Sequence, residues 1–153
     1  MASPALPAYL FLQTPPGDAV SNKPLVAIVD DDEPMRRATS NLLESAGFAT
    51  ATFADAEAFL GSIQHRGVAC LVTDMRMPGM TGLELHESLV ASGSDIPTVL
   101  ITAYADETTR IRARKAGIVC FLPKPVPPEE LCECVRSALA NRREPHSHDR
   151  GRA

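Results

Sequence analysis

The sequence predicts an α/β fold, a doubly wound parallel sheet of five strands with five helices, and two observations predict it. Short apolar runs alternate with segments of helical period five times between Leu25 and Asn141. The residues that follow those runs include carboxylates, a hydroxyl and an ammonium. Apolar strands alternating with helices imply a parallel sheet covered on both faces. Right-handed crossovers then bring the carboxyl ends of all the strands to one edge, where open sheets of this kind bind ligands.

The elements follow in order. Leu25–Val29 is a continuous apolar run that ends in three aspartates. Pro34 to Ala46 is a helix with Met35, Leu42, Leu43 and Ala46 as its apolar positions, and Gly47 is its stop. Asp32 or Glu33 can cap it. Phe48–Phe53 reads as a strand and Ala56–Ile63 as a helix. Cys70–Thr73 is a strand that runs into Asp74. Leu83–Val90 is a helix and Thr98–Thr102 a strand. Thr108–Ala116 is a helix stopped by Gly117, and Ile118–Leu122 is the fifth strand. Glu129–Ala140 is the last helix, with Leu131, Val135, Ala138 and Leu139 on one face. Pro123 removes a ladder donor and therefore belongs on an edge strand. Pro128 suits the first turn of the last helix.

The 153 residues suffice for one domain with its own core, expected over 24–141. With no Trp, two Tyr and five Phe, that core must be mostly Val, Leu, Ile and Ala. Residues 1–23, rich in proline, read as a disordered or loosely packed leader, and 142–153 as a polar tail. A net charge of −4 offers no electrostatic case for nucleic acid. No apolar run approaches the ~20 residues that span a bilayer. The apolar stretch Tyr9 to Leu12 is too short for a signal peptide, so the expected location is the cytoplasm. Cys70, Cys120, Cys132 and Cys134 form no C-x-x-C pair and suggest neither a disulfide framework nor a zinc site. His146 and His148 fall in the polar tail.

At the ligand-binding edge the first strand presents Asp30, Asp31 and Asp32. The third presents Asp74, the fourth Thr102 and the fifth Lys124. Adjacent carboxylates repel and raise one another's pKa, so the cluster needs a chemical reason. A hard divalent cation supplies one: Mg²⁺ prefers oxygen ligands and takes one or two carboxylates plus a phosphate oxygen. Lys124 would balance phosphoryl charge, and the Thr102 hydroxyl could hydrogen-bond a phosphoryl oxygen. Phosphoryl transfer is mostly positioning and charge stabilisation, so this set suffices. Taken singly, Thr102 is a strand-end threonine, Lys124 a surface lysine and Phe121 a core residue. Asp32 is structural, and Gly79 and Gly82 serve turn geometry.

The segments VAIVDDDEPMR (26–36), CLVTDMRMPGMTGLEL (70–85), VLITAYA (99–105) and FLPKP (121–125) resemble receiver domains of two-component response regulators, FixJ-like subgroup. The resemblance covers nearly all of 25–141. It implies the flavodoxin-like strand order 2-1-3-4-5. By position, Asp74 resembles the phosphoacceptor, Asp31 the direct Mg²⁺ ligand, and Asp30 its neighbour that acts through water. Arg76 stands where the family uses a backbone carbonyl as a metal ligand. Thr102 resembles the switch hydroxyl, Lys124 the lysine of the site, and Phe121 the aromatic switch residue. A cis Lys124–Pro125 bond is also implied.

The expected function is therefore a phosphorylation-controlled interaction switch. A histidine kinase or phosphotransfer protein supplies the phosphoryl group. A downstream protein binds the face of the fourth helix, fifth strand and fifth helix, with homodimerisation on phosphorylation left open. The chain is expected to act on nothing but its own phosphorylation and dephosphorylation. Twelve residues follow Asn141 and show no apolar periodicity, so a stand-alone receiver without DNA-binding output is expected. Its alternatives are a phosphate sink, or the receiver of a FixJ-like transcription regulator lacking its output domain. A small-molecule phosphatase with an Asp nucleophile normally has a second Asp two residues on, where this chain has Arg76.

Overall fold

The computed structural model describes residues 23–62 and 67–143. The leader before Lys23, the expected helix end at Ile63 and the tail from Glu144, with His146 and His148, lie outside the described residues.

Five strands make one parallel sheet. They are β1 (Leu25–Val29), β2 (Ala49–Phe53), β3 (Cys70–Asp74), β4 (Thr98–Thr102) and β5 (Cys120–Pro123). Their order is β2-β1-β3-β4-β5, so β1, β3 and β4 are interior strands. The helices are α1 (Glu33–Ser45), α2 (Ala56–Leu60), α3 (Gly82–Ala91), α4 (Glu107–Ala116) and α5 (Pro128–Arg143). The doubly wound class is the one the sequence predicted, and the strand order is the one the receiver resemblance implied.

Strand alternation divides the core. Val26 and Ile28 of β1, Cys70 and Val72 of β3, Val99 of β4 and Leu122 of β5 pack with Leu43 of α1 and Leu131, Val135 and Ala138 of α5. On the opposite face Ala27, Val29 and Leu71 pack with Phe59 of α2 and Leu85 and Leu89 of α3. Both faces are covered, which is why β1 and β3 read as unbroken apolar runs instead of alternating ones.

Helix ends explain most shifts from the predicted boundaries. Gly47 and Gly117 sit at φ +104° and +91°, a left-handed conformation open to glycine at no steric cost. The residue after each returns its N–H to the preceding helix: Phe48 to the Leu43 carbonyl and Ile118 to the Ala113 carbonyl, both at 3.0 Å. These 6→1 bonds belong to the helix cap. β2 and β5 therefore begin after the predicted Phe48 and Ile118. Gly61 caps α2 after Leu60. Pro128 opens α5, and its backbone runs to Arg143, past the predicted end at Ala140.

Two glycine and proline positions work differently from expectation. Gly82 opens α3 where a Cβ would collide with the Asp74 carbonyl oxygen and stand 2.8 Å from Leu100 Cδ1. It serves close approach rather than a turn, and its N–H donates to the Met75 carbonyl at 2.9 Å. Pro123 does lie on an edge strand, but its missing N–H belongs to the paired side. The Val119 N–H donates to the Thr98 carbonyl, and every second residue thereafter faces β4. Pro123 cannot donate, and the Lys124 N–H bonds the Thr102 carbonyl at 2.8 Å in its place. The ladder slips by one residue just where Lys124 leaves the sheet.

Candidate functional site

Asp30 is the first residue past β1. Its N–H donates to the Phe53 carbonyl at 3.1 Å, and its Oδ1 accepts the Asp32 N–H at 3.0 Å. The Arg36 guanidinium reaches back six residues to donate to the Asp30 carbonyl at 2.7 Å. Asp32 caps α1, with Oδ1 accepting the Met35 N–H at 3.2 Å. The three consecutive aspartates thus divide: Asp32 is occupied by the helix, and Asp30 and Asp31 face the edge of the sheet.

Asp74 is the last residue of β3, held between β1 and β4. Asp30 and Asp74 are buried and Asp31 is exposed. One carboxylate oxygen of each lies within 4.8 Å of the other two. Lys124 Nζ stands 3.3 Å from Asp74 Oδ1. Four residues from three strand ends therefore converge as the sequence required.

Burial dominates the electrostatics. It pushes the Asp30 carboxyl above its ordinary value, the Asp32 N–H opposes, and the Asp74 charge adds to the rise. Burial raises Asp74 as well, against the pull of the Lys124 ammonium. Burial of this kind disfavours the charged form, and a bound cation would offset that cost. The donor set is all hard oxygen, from three acids, and this fits Mg²⁺ rather than a thiolate-seeking metal.

Thr102 and Phe121 stand apart from this cluster. Thr102 is buried at the end of β4, where its hydroxyl accepts the Tyr104 N–H at 3.0 Å and donates to the Tyr104 carbonyl at 3.1 Å. Phe121 points to the opposite face of β5 from Leu122. It packs on Leu83, Leu100 and Ala113, with the Arg110 guanidinium 4.9 Å from its ring centroid. Arg76 is exposed two residues beyond Asp74, and its guanidinium lies 4.6 Å from the Tyr104 ring centroid. The Lys124–Pro125 bond is cis.

Three features escaped the sequence reading. The Arg36 bond depends on how the β1–α1 turn folds. A cavity of about 570 Å³ opens beside Asp30, Asp74 and Lys124, walled by Met35 and Leu42 of α1 and by Val126 and Leu131. The fourth-strand neighbour His86 is buried, its Nδ1 2.9 Å from Thr98 Oγ1 and its Nε2 2.7 Å from the Ala116 carbonyl oxygen. That arrangement ties α3 to the end of α4. The helical pattern of α3 marks His86 only as an inward position.

Comparison with known proteins decides the family. The sequence model of the response regulator receiver domain matches residues 26–136. The chain belongs to that family. Among its relatives, the transcriptional regulatory protein FixJ of Bradyrhizobium diazoefficiens is 37% identical over 120 residues, 78% of this chain and 58% of FixJ. The response regulator protein TodT of Pseudomonas putida is 36% identical over 115 residues, 75% of this chain and 51% of TodT. This receiver chain thus spans about half the length of the curated relatives it matches. Among solved structures, the response regulator StyR superposes with a TM-score of 0.73 at 44% identity, covering 84% of this chain and 67% of StyR. FixJ-N superposes with a TM-score of 0.70 at 37% identity, covering 78% and 95%. The receiver fold places the acid cluster and Lys124 at the carboxyl edge of the sheet.

Proposed function

We propose that this receiver takes a phosphoryl group from a phosphohistidine onto the Asp74 carboxylate and so switches a protein-interaction surface. The observation that carries the reading is Asp74 at the end of an interior strand, with Lys124 Nζ at 3.3 Å and two further carboxylates beside it. A carboxylate oxygen of Asp74 forms the bond to phosphorus as the phosphorus–nitrogen bond to the donor imidazole breaks. The imidazole leaves neutral, or takes a proton from solvent. Lys124 stabilises the added phosphoryl charge as a fixed point cation.

Asp31, Asp74 and the backbone carbonyl of Arg76 would hold Mg²⁺, with Asp30 acting through water. Bound there, the ion neutralises the acid cluster and the charge of the transferring group. The Thr102 hydroxyl exchanges its two bonds to the Tyr104 backbone for one to a phosphoryl oxygen. Phe121 then leaves Arg110 and turns inward. That remodels α4, β5 and α5, where a protein partner docks. A local charge biasing a two-state element is how such switches work. The only chemistry in this reading is the domain's own phosphorylation and dephosphorylation. A cytoplasmic setting goes with it, since phosphohistidine donors draw on ATP.

A second reading of the output rests on the relatives. FixJ is named a transcriptional regulatory protein, and this chain matches only part of it. In that reading the α4, β5 and α5 face governs a DNA-binding region, not a separate partner. The acidic receiver itself would still bind DNA without sequence preference, if at all. The test of phosphoacceptance is acetyl phosphate with Asp74→Asn. Wild type should gain a hydroxylamine-sensitive phosphoryl group and the variant none. An equal phosphoryl load on both would overturn the assignment.

A further inference from the structure

Cys120 and Cys134 come together although 14 positions separate them in the sequence. Cys120 opens the edge strand β5 and shares the face of Leu122, with Phe121 on the other side. Cys134 lies two turns into α5, the helix that covers this face. Both pack against the same apolar cluster, and the Cys120 thiol lies close enough to Cys134 to act on it electrostatically. Both are half-buried, whereas Cys70 and Cys132 are buried. Cys120 and Cys134 are not joined by a disulfide in this structure. Cys120 and Cys134 are thus the more exposed of the four to a small oxidant.

We propose that Cys120 and Cys134 are a redox-modification site that a peroxide converts to an intramolecular disulfide. Burial and the adjoining Cys120 thiol push the Cys134 thiol up to about 12, so Cys134 keeps its proton and the first attack falls to Cys120. The Cys120 thiolate attacks a peroxide oxygen, the O–O bond breaks, and the departing hydroxide takes up a proton as water. Cys120 is then a sulfenic acid. The Cys134 sulfur attacks it, the S–OH bond breaks, and the Cys134 proton leaves with that hydroxide as a second water. Two thiols are oxidised and one peroxide is reduced. The bridge closes the segment 120–134, which contains Phe121, Lys124, Pro125 and the start of α5. Oxidation would tie the helix to the edge strand and restrain the part of the sheet that carries Lys124. The proposal stands on thiol placement and does not depend on phosphorylation of Asp74.

The test uses the full chain, hydrogen peroxide, thiol counting by alkylation and non-reducing peptide mapping. Wild type should fall from four alkylatable thiols to two, with one Cys120–Cys134 cross-linked peptide that dithiothreitol reverses. Cys120→Ser and Cys134→Ser should each form no bridge, and Cys132→Ser should still form it. Melting curves check that the variants fold, and the wild-type peptide map decides the pairing without them. Four persistent thiols in wild type, a bridge that maps to Cys70 or Cys132, or cross-links only between chains would overturn the proposal.

Discussion

The two halves of the sheet's carboxyl edge are built on different plans. At the ends of β1 and β3 the side chains are held from several directions. Asp30 is anchored through its N–H, its carbonyl and its carboxylate. Asp74 lies between two strands, with its carbonyl pressed against Gly82. At the ends of β4 and β5 the contacts are local or exposed. The Thr102 hydroxyl bonds the backbone two residues on, Phe121 is half-buried under a guanidinium, and Pro123 displaces the ladder by one residue. Preorganised groups suit the chemical step, because they need no rearrangement as charge develops. Loosely held ones suit a switch, which must exchange partners at small cost. On the proposed function the chemistry falls to the first half, with Lys124 reaching across to Asp74 from the end of β5, and the signal to the rest of the second.

The largest expected effect comes from damaging the rigid half. Gly82→Ala would force a methyl group into the Asp74 carbonyl and Leu100, with strain of about 3 kcal/mol, the upper range for overpacking. Urea denaturation should show that loss, and a midpoint within error of wild type would mean that α3 does not buttress the acceptor strand. Next comes the cation. A ligand bound only by the native state stabilises by RT ln(1 + [L]/Kd), about 1.4 kcal/mol at tenfold excess. Asp31 is exposed, so Asp31→Ala should leave the metal-free melting temperature near wild type and remove most of the Mg²⁺ increment. An increment equal in both proteins would contradict the proposed ligand set.

The acidity of the cluster sharpens the same point. Asp30 and Asp74 titrate above the ordinary 3.8, so the native state holds more protons than the unfolded chain in the window just above that value. Their contribution makes metal-free stability rise as pH falls through the raised values toward 3.8, and it is lost as pH rises through them. Mg²⁺ must displace those protons, so its increment should shrink on acidification. Thermal melts with and without Mg²⁺ as the pH is lowered from neutrality toward the ordinary 3.8 check the sign. An increment that grows toward the lower pH would contradict the burial argument.

The smallest expected effect concerns the Arg76–Tyr104 stack. Arg76 follows Asp74 by two residues and Tyr104 follows Thr102 by two, and an exposed cation–π contact of this kind is worth about 0.5–1 kcal/mol. If the stack must open to admit the hydrolytic water, Tyr104→Ala should speed phosphate loss roughly two- to fivefold. Decay as slow as wild type would show that the stack does not guard the path.

The sequence made the chemical half more legible than the signalling half. Asp30 and Asp31 follow the first apolar run and Asp74 ends the third strand, so strand topology alone brings them together. Lys124 follows the fifth run in the same way. The α1 cap was legible for a similar reason, since Asp32 and the Met35 N–H are three residues apart. Contacts that span elements were not. The Arg110–Phe121 and Cys120–Cys134 pairings depend on how a helix lies over an edge strand, and apolar periodicity does not specify that. Pro123 signalled an edge strand correctly, but which side of the strand lost its donor depends on ladder parity. Ladder parity is set by Gly117, whose capping bond delays the start of β5.

Backbone hydrogen exchange on wild type and Asp74→Asn, each with and without acetyl phosphate and Mg²⁺, tests the division most directly. The account predicts phosphorylation-dependent changes in wild type at 102–106, in β5 and its following loop, and in α4 and α5. Amides of β1 and of β3 before Asp74 should stay as protected as before, and Asp74→Asn should change nowhere on addition of acetyl phosphate. Changes spread evenly over β1 and β3, or the same changes in Asp74→Asn, would contradict it.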